Sequence, residues 1–357
     1  KRNNYNKKKI DRQLKYIDEK INEYLNALDN GDKKPEEKPR YTMQEIQKKI
    51  EELNERKSFY TDLEQQMKNS GVTEISTTDP DSRLMDNKKN GLEVNYNVQI
   101  AVDEKNKLIL ATEVTNMPSD QGHLNCMAQL AKETLGLDEK DTLEVVADKG
   151  YYQAKDLIAC DDNNTVTYVT HQAYSNATEN PEYFSDKFRY NPQEDVYICP
   201  QGQILYRVKH KKEDIERIRY KNYKACSKCP NRDLCTKAKK GRSISRSNNQ
   251  DFLDTVDART LQNMDKYLKR QMIVEHPFGT VKRTMNASYF LTRRLESVKA
   301  ETDLIFLAYN MKRVINIVGV PEIIRRIEAS IRLLYTKIKN GYISFPRINP
   351  GKYITVI

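Results

Sequence analysis

The hydrophobic period of this 357-residue chain changes partway along, and the change limits what it can fold into. From Lys7 to Asp29, apolar residues fall at Ile10, Leu14, Ile17, Ile21, Leu25 and Leu28. Steps of three and four put them on one helix face. After Asn30-Gly31-Asp32 and the stretch from Pro35 to Pro39, the spacing returns through Met43, Ile46, Ile50, Leu53, Phe59, Leu63 and Met67, which predicts an antiparallel helical hairpin. From Gly91 the step drops to two: Leu92, Val94, Tyr96, Val98, Ile100 and Val102 alternate with polar or small residues. Asp103 to Asn106 then turns the chain into Lys107–Val114, and the two runs read as a β-hairpin. A helix over about 119–135, a strand at Leu143–Ala147 ending on Asp148, a helix from Gln153 to Ala159 and a strand at Thr165–Val169 follow. Strands separated by helices after a leading hairpin predict an α/β fold with a mixed sheet flanked by helices.

Between about Phe184 and Gln250 the sequence is polar, rich in Lys, Arg and Cys, and without a long period, as expected of an insert. Helical spacing resumes from Asp254 to Arg283 and from Val298 to Val318, and a basic amphipathic helix runs from Pro321 to Asn340. The expected organisation is a helical hairpin at 1–70, a core in two parts at 71–183 and 251–320, the insert at 184–250, and a basic C-terminal helix and tail at 321–357.

Lys and Arg number 61 against 51 Asp and Glu, a net charge of +10. A basic surplus favours a polyanionic partner, because these side chains replace the counterions condensed on phosphates. With 31% charged residues and no apolar run near the roughly 18–20 residues of a bilayer span, no integral membrane protein is expected. The opening Lys1-Arg2-Asn3-Asn4 leads into a polar helical pattern without a signal peptide's apolar core. A soluble, cytoplasmic protein is expected.

Two acids stand where chemistry is done. Asp148 closes an apolar strand in Ala147-Asp148-Lys149-Gly150-Tyr151, at the carboxyl end where ligands of α/β sheets collect, although a strand-end Asp is also an ordinary turn former. Glu275 lies among Met272, Ile273, Val274 and Phe278, with Arg270 before and Lys282 after it. A carboxylate buried there would need a cationic partner or a metal. The plain alternative is a helix in which Glu275 pairs with Arg270 or Lys282. Taken together, two carboxylates from distant segments are what Mg²⁺ or Mn²⁺ requires, the rest of the shell being water and phosphate oxygen. Tyr267 and Arg270, three apart, share a helix face.

Four of six cysteines, Cys199, Cys226, Cys229 and Cys235, fall in a short window with a close pair two residues apart. That spacing suits a tetrahedral Zn²⁺ site that would replace a missing hydrophobic core in the insert; an iron–sulfur cluster uses the same ligands, and four free thiols are the remaining alternative. Cys126 and Cys160 read as buried packing. The basic run Lys209-His210-Lys211-Lys212, with Lys237, Lys239, Lys240, Arg242 and Arg246, suggests contact with a DNA backbone. His123, His171, His210 and His276 form no ligand set.

In these motifs, and in Asp79-Pro80-Asp81-Ser82-Arg83-Leu84-Met85, Tyr96-Asn97-Val98-Gln99, Val274-Glu275-His276-Pro277-Phe278-Gly279-Thr280-Val281-Lys282-Arg283 and Ala308-Tyr309-Asn310-Met311-Lys312-Arg313, the chain resembles the DDE transposases of bacterial insertion sequences. It is most similar to the subgroup with a cysteine-bearing insert before the catalytic Glu. The resemblance implies a ribonuclease-H-like core, with Asp148 and Glu275 as the second and third metal-binding carboxylates. It also implies a Tyr-Arg-Glu-Lys signature in Tyr267, Arg270, Glu275 and Lys282, DNA contacts from these cations and Arg283, and a homodimer on DNA. Four residues rather than three separate Arg270 from Glu275. The family's first carboxylate, on a strand of the type Asp-Gly-Thr, has no counterpart. Asp79, Asp81 and Asp103 suit turns and Asp120 a helix start, so the expectation is an N-terminally truncated, inactive fragment of an enzyme that cleaves DNA and transfers strands. The alternatives are a non-catalytic zinc- and DNA-binding relative, or a metal nuclease without strand transfer.

Overall fold

The computed structural model describes residues 3–33, 42–87, 91–208, 217–340 and 354–356. The Pro35 to Pro39 stretch and the run Lys209-His210-Lys211-Lys212 lie outside the described residues. A short strand, β1 (Asn4–Asn6), leads into α1 (Lys7–Lys33), followed by α2 (Met43–Ser70) and β2 (Glu74–Ser76), which pairs antiparallel with β1. The helical spacing runs on through Asn30-Gly31-Asp32, which is helix rather than the expected turn. Ile10, Ile17, Leu53, Tyr60, Leu63, Met67 and Ile75 form the buried seam of this layer. Thr42 and Glu45 start α2 with reciprocal side-chain-to-backbone bonds, a capping box.

β3 (Arg83–Asn87) and β4 (Gly91–Asn95) pair antiparallel as a separate two-stranded ribbon. The alternating run from Leu92 to Val102 is therefore split at Tyr96, whose hydroxyl donates to Asp79 Oδ2 at 2.8 Å. Next come β5 (Asn97–Asp103), β6 (Ile109–Thr115), α3 (Leu124–Leu135), β7 (Leu143–Ala147), α4 (Ala154–Asp162) and β8 (Thr165–Tyr168). The insert holds β9 (Arg189–Asn191), β10 (Val196–Ile198), β11 (Ile204–Arg207), β12 (Arg217–Lys221), α5 (Tyr223–Ser227), α6 (Arg232–Cys235) and β13 (Ser243–Ser247). The chain continues through α7 (Gln250–Gln262), α8 (Met264–Gly279), a π-helical turn (Thr280–Thr284), α9 (Leu295–Val318), α10 (Val320–Asn340) and β14 (Ile354–Val356).

The contacts form two compact units. One comprises residues 1–99, 112–119 and 279–312, the other 100–111, 120–278 and 313–357. The second carries β14, β7 and β8 of a five-stranded mixed sheet of order β6-β5-β14-β7-β8. β7 and β8 run parallel, as the sequence pattern requires of strands joined by a helix. The middle position is unexpected. β14, from the segment read as a tail, lies antiparallel to β5 and parallel to β7, with Val356 opposite Ala101 and Ala147. The core combines Val145, Ala147, Leu124, Met127, Leu157 and Val256 from strands and helices. This mixed α/β arrangement is compatible with a ribonuclease-H-like fold.

The insert is not the core-less segment expected. Its strands form a five-stranded antiparallel sheet, order β13-β12-β11-β10-β9, around Phe188, Tyr197, Leu205, Tyr220 and Ile244. Burying a few large aromatics removes enough apolar surface that a metal need not stand in for a core. Tyr190 and Tyr220 both donate to Asp195, at 2.9 and 2.5 Å. Arg246, expected on a DNA-facing surface, is 8% exposed, stacks 3.9 Å over Tyr190 and pairs with Asp251. Among the described residues no helix is long and apolar enough to cross a membrane.

Candidate functional site

β7 delivers Asp148. Val145, Val146 and Ala147 are fully buried, and the chain leaves the sheet at Asp148 into a single 3-10 turn, Lys149–Tyr151. The Asp148 side chain starts that turn, with Oδ1 accepting from the Lys149 N–H at 2.8 Å. Tyr151 anchors the turn in the core. A Cβ at Gly150 would come within 2.9 Å of Asp120 Oδ2, so Asp120 packs against this turn. Asp120 lies just ahead of α3, near a helix start as expected, and the buried Asp156 caps the helix, accepting from the N–H groups of Leu124 and Asn125 at 2.8 and 3.1 Å.

α8 brings the partner. Arg270 Nη1 lies 3.0 Å from Asp148 Oδ1 and also donates to the Tyr267 hydroxyl at 3.2 Å, with the guanidinium 4.7 Å from the Tyr267 ring centre. Thr170 Oγ1 closes the chain at 2.8 Å from the Tyr267 hydroxyl. The expected sharing of one helix face by Tyr267 and Arg270 is thus realised as direct contact. Arg270 is 16% exposed and Asp148 45%, so one flank of the ion pair faces solvent. Beside it, Lys266 pairs with Glu144 at 2.8 Å and lies 4.4 Å over the Tyr168 ring. Burial works against the Lys266 ammonium, but the bonds to Glu144 and Tyr168 outweigh it and raise its pKa.

Glu275 stands apart from this network. It is exposed, and its Oε1 accepts from Gln271, one turn earlier, at 2.8 Å. Of the apolar residues around it, Ile273 and Val274 are buried whereas Met272 is 71% exposed. At about 100° per residue, Glu275 follows Gln271 and Met272 onto the solvent face. The expected buried carboxylate is corrected accordingly. Lys282 and Arg283 are exposed on the π-helical turn, which belongs to the other unit.

DDE transposase domains typically use divalent metal ions such as Mg²⁺. The acids here do not fit that ion as they stand. Among the described residues, no group of three or more His, Cys, Asp or Glu is placed to hold a metal. The cation beside Asp148 is Arg270. The other candidate acids are committed elsewhere. Asp103 Oδ2 accepts from Asn106 within its turn, at 2.5 Å. Asp79 accepts from Asp81 N–H at 3.3 Å, as a turn former does, and the two also reach the N–H groups of Arg294 and Leu295 at the start of α9. Nothing local in the sequence signals that contact, which spans over two hundred residues.

In the insert, Cys199, Cys226, Cys229 and Cys235 line one cavity of about 30 Å³ together with Tyr183 and Phe188. Gly241, at φ +111°, makes room: a Cβ there would lie 2.5 Å from Cys226 Cβ. Gln203 N–H donates to Cys199 Sγ at 3.3 Å. Burial raises the Cys235 thiol to about 11, with Arg242 opposing and the neighbouring thiols adding to the rise. The thiols share one cavity without closing into a metal-binding group, although the donor chemistry suits Zn²⁺. Cys160 is buried as expected, but Cys126 is exposed.

A family model for a transposase DDE domain matches residues 198–315, a segment that takes in the cysteines, α8 and the π-helical turn. No curated protein and no solved structure matches. The match supports a DDE transposase relationship for that stretch, which is under half of the 357 residues and does not include Asp148.

Proposed function

We propose that this chain acts on DNA in the manner of an insertion-sequence transposase, holding backbone phosphates at the mouth of β7 for phosphodiester cleavage and strand transfer. The observation that carries this reading is the contact between Asp148 and Arg270. It brings a strand-end carboxylate, about half exposed, together with a mostly covered guanidinium on a helix inside the family match, and a charge-assisted pair of that kind supports a phosphate-binding reading. Arg270 binds phosphate, Tyr267 orients it, and Asp148 holds it when DNA is absent. Lys282 and Arg283 add backbone contacts. Cys199, Cys226, Cys229 and Cys235 are the residues to hold Zn²⁺, which would fasten α5 and α6 to the insert's sheet. The bacterial origin and the pairing of two copies on DNA belong to the same proposal.

The second reading, a non-catalytic DNA-binding relative, is favoured by the lack of a metal-holding acid group among the described residues. Fluorescence-anisotropy titration of duplex DNA across salt concentrations tests what both share. Binding should weaken steeply with salt, and each of Arg270→Ala and Lys282→Ala should lower the slope by about one. Salt-independent binding, or slopes unchanged in the variants, contradicts the proposal. Supercoiled plasmid incubated with Mg²⁺ or Mn²⁺ then separates the two: nicking lost in Asp148→Ala supports the enzyme, and intact plasmid supports the binder.

A further inference from the structure

The insert's sheet has two unlike faces. Along β12 and β13 burial alternates: Tyr220, Ile244 and Arg246 are buried, whereas Arg217, Arg219, Ser243 and Ser245 are exposed. Successive side chains of a pleated strand point to opposite sides, so Arg217, Arg219 and Lys221 share the outer face, as do Ser243, Ser245 and Ser247. The antiparallel register sets them in rungs, with Arg217 opposite Ser247, Arg219 opposite Ser245 and Lys221 opposite Ser243. Directly opposed residues carry their side chains on one side and within reach of each other. Each rung therefore offers one cation and one hydroxyl. Ser247 Oγ accepts from the Asn249 N–H at 3.3 Å, which leaves its own hydrogen to donate.

Tyr206 of β11 stands opposite Lys221, extends that rung across the sheet and is 57% exposed. The Lys221 ammonium lies 4.8 Å from the Tyr223 ring. None of the five strands β9 to β13 contains Asp or Glu. Asp195, in the turn between β9 and β10, is taken up by Tyr190, Tyr220 and Arg207, and Asp251 of α7 by Arg246. Residues 209–216, which lead into β12, lie outside the described residues.

We propose that this outer face is a track for single-stranded DNA: successive phosphates occupy the three rungs, and an unpaired base stacks on Tyr206. Cations two residues apart on a strand are roughly 6.6 Å apart, close to the separation of successive phosphates in an extended nucleic acid strand. A backbone laid along β12 thus meets a cation and a hydroxyl donor at every step. Such a row holds phosphates without reading sequence, and an aromatic face beside it accepts any base. Duplex DNA fits less well. Five strands span roughly 19 Å, wider than a major groove of about 12 Å, and paired, stacked bases have no free face to offer Tyr206. The inference rests on the DNA reading above and adds to it the place where an unpaired strand is held.

The test uses the full chain with a labelled single strand of about 12 nucleotides and the duplex of the same sequence, both followed by fluorescence anisotropy. Arg219→Ala should weaken single-strand binding about tenfold and lower its salt slope by about 0.7, while duplex affinity changes by less than about twofold. Tyr206→Ala should also cost about tenfold on the single strand but leave the salt slope unchanged, because stacking releases no counterion. Lys228→Ala removes an exposed cation of the insert that lies off the sheet, and it should leave both affinities within about twofold. All three side chains are exposed, so the fold is not at stake. Equal losses on single strand and duplex overturn the single-strand assignment, and so does a Lys228→Ala loss as large as that of Arg219→Ala, which would mark diffuse charge. Unchanged single-strand binding in either face variant overturns the track and leaves the DNA reading, carried by Arg270, standing. A wild type that binds neither DNA overturns both.

Discussion

Gly241→Ala offers a severe check on the insert, because two separate penalties can be worked from its geometry. At φ +111° an L-residue is strained whatever the space around it, at roughly 1–2 kcal/mol. The new methyl would also lie 2.5 Å from Cys226 Cβ and 3.0 Å from its Sγ. Cys226 Cβ is fixed to the backbone of α5, so the overlap is relieved only by moving main chain, at roughly 1–3 kcal/mol. The expected destabilisation is therefore about 2–5 kcal/mol, read from urea unfolding followed by far-UV ellipticity and tyrosine fluorescence. Cys226→Gly removes the atoms of the overlap and leaves φ unchanged, so in that background Gly241→Ala should cost only about 1–2 kcal/mol. A loss under about 0.5 kcal/mol in the wild type, or the same loss in both backgrounds, would refute the close approach of the 241 turn to the thiol cavity.

Three further outcomes are expected. Asp156→Ala leaves the Leu124 and Asn125 N–H groups unpaired at a buried helix start, so it should cost about 1–3 kcal/mol in the same unfolding assay, and a neutral result would contradict the cap. Burial, then the charges of Arg313 and Lys107, hold His276 below its ordinary 6.5, so the folded state takes up protons less readily than the unfolded one. Its share of stability is present above 6.5 and lost as pH falls below it, which an NMR titration of the imidazole would show as a midpoint under 6.5; a higher midpoint would count against the packing. Zinc analysis of protein purified without chelator should find metal that Cys229→Ser releases, and metal-free protein with four freely reacting thiols would remove zinc from the account.

The sequence shows the helical hairpin clearly because steps of three and four recur from Ile10 to Leu28 and again, with one wider step, from Met43 to Met67. Asp148 was legible as the end of a strand, since the apolar run Leu143–Ala147 stops at it. The insert was not. Its strands are three to five residues long, too short to establish a period, and its core of Phe188, Tyr197, Leu205, Tyr220 and Ile244 is scattered among polar residues. β14 was hidden because three residues reach partners some two hundred or more positions earlier, a contact no local pattern encodes. The pairing of Asp148 with Arg270 crosses 122 positions, and only the Tyr267–Arg270 half of the network had a helical signal. Glu275 was misread because apolar neighbours were taken as burial, whereas Met272 on its side of the helix is itself exposed.

The central claim is that Asp148 and the Arg270–Tyr267 pair form one phosphate-facing site, with the carboxylate holding the guanidinium until DNA takes it. A double-mutant cycle on duplex affinity tests this most directly. Arg270→Ala should weaken binding by about tenfold, one charge-assisted contact. Asp148→Ala should tighten binding by freeing the guanidinium, and most of that gain should vanish once Arg270 is already alanine. Strictly additive effects, or an Arg270→Ala variant that binds DNA as the wild type does, would contradict the account.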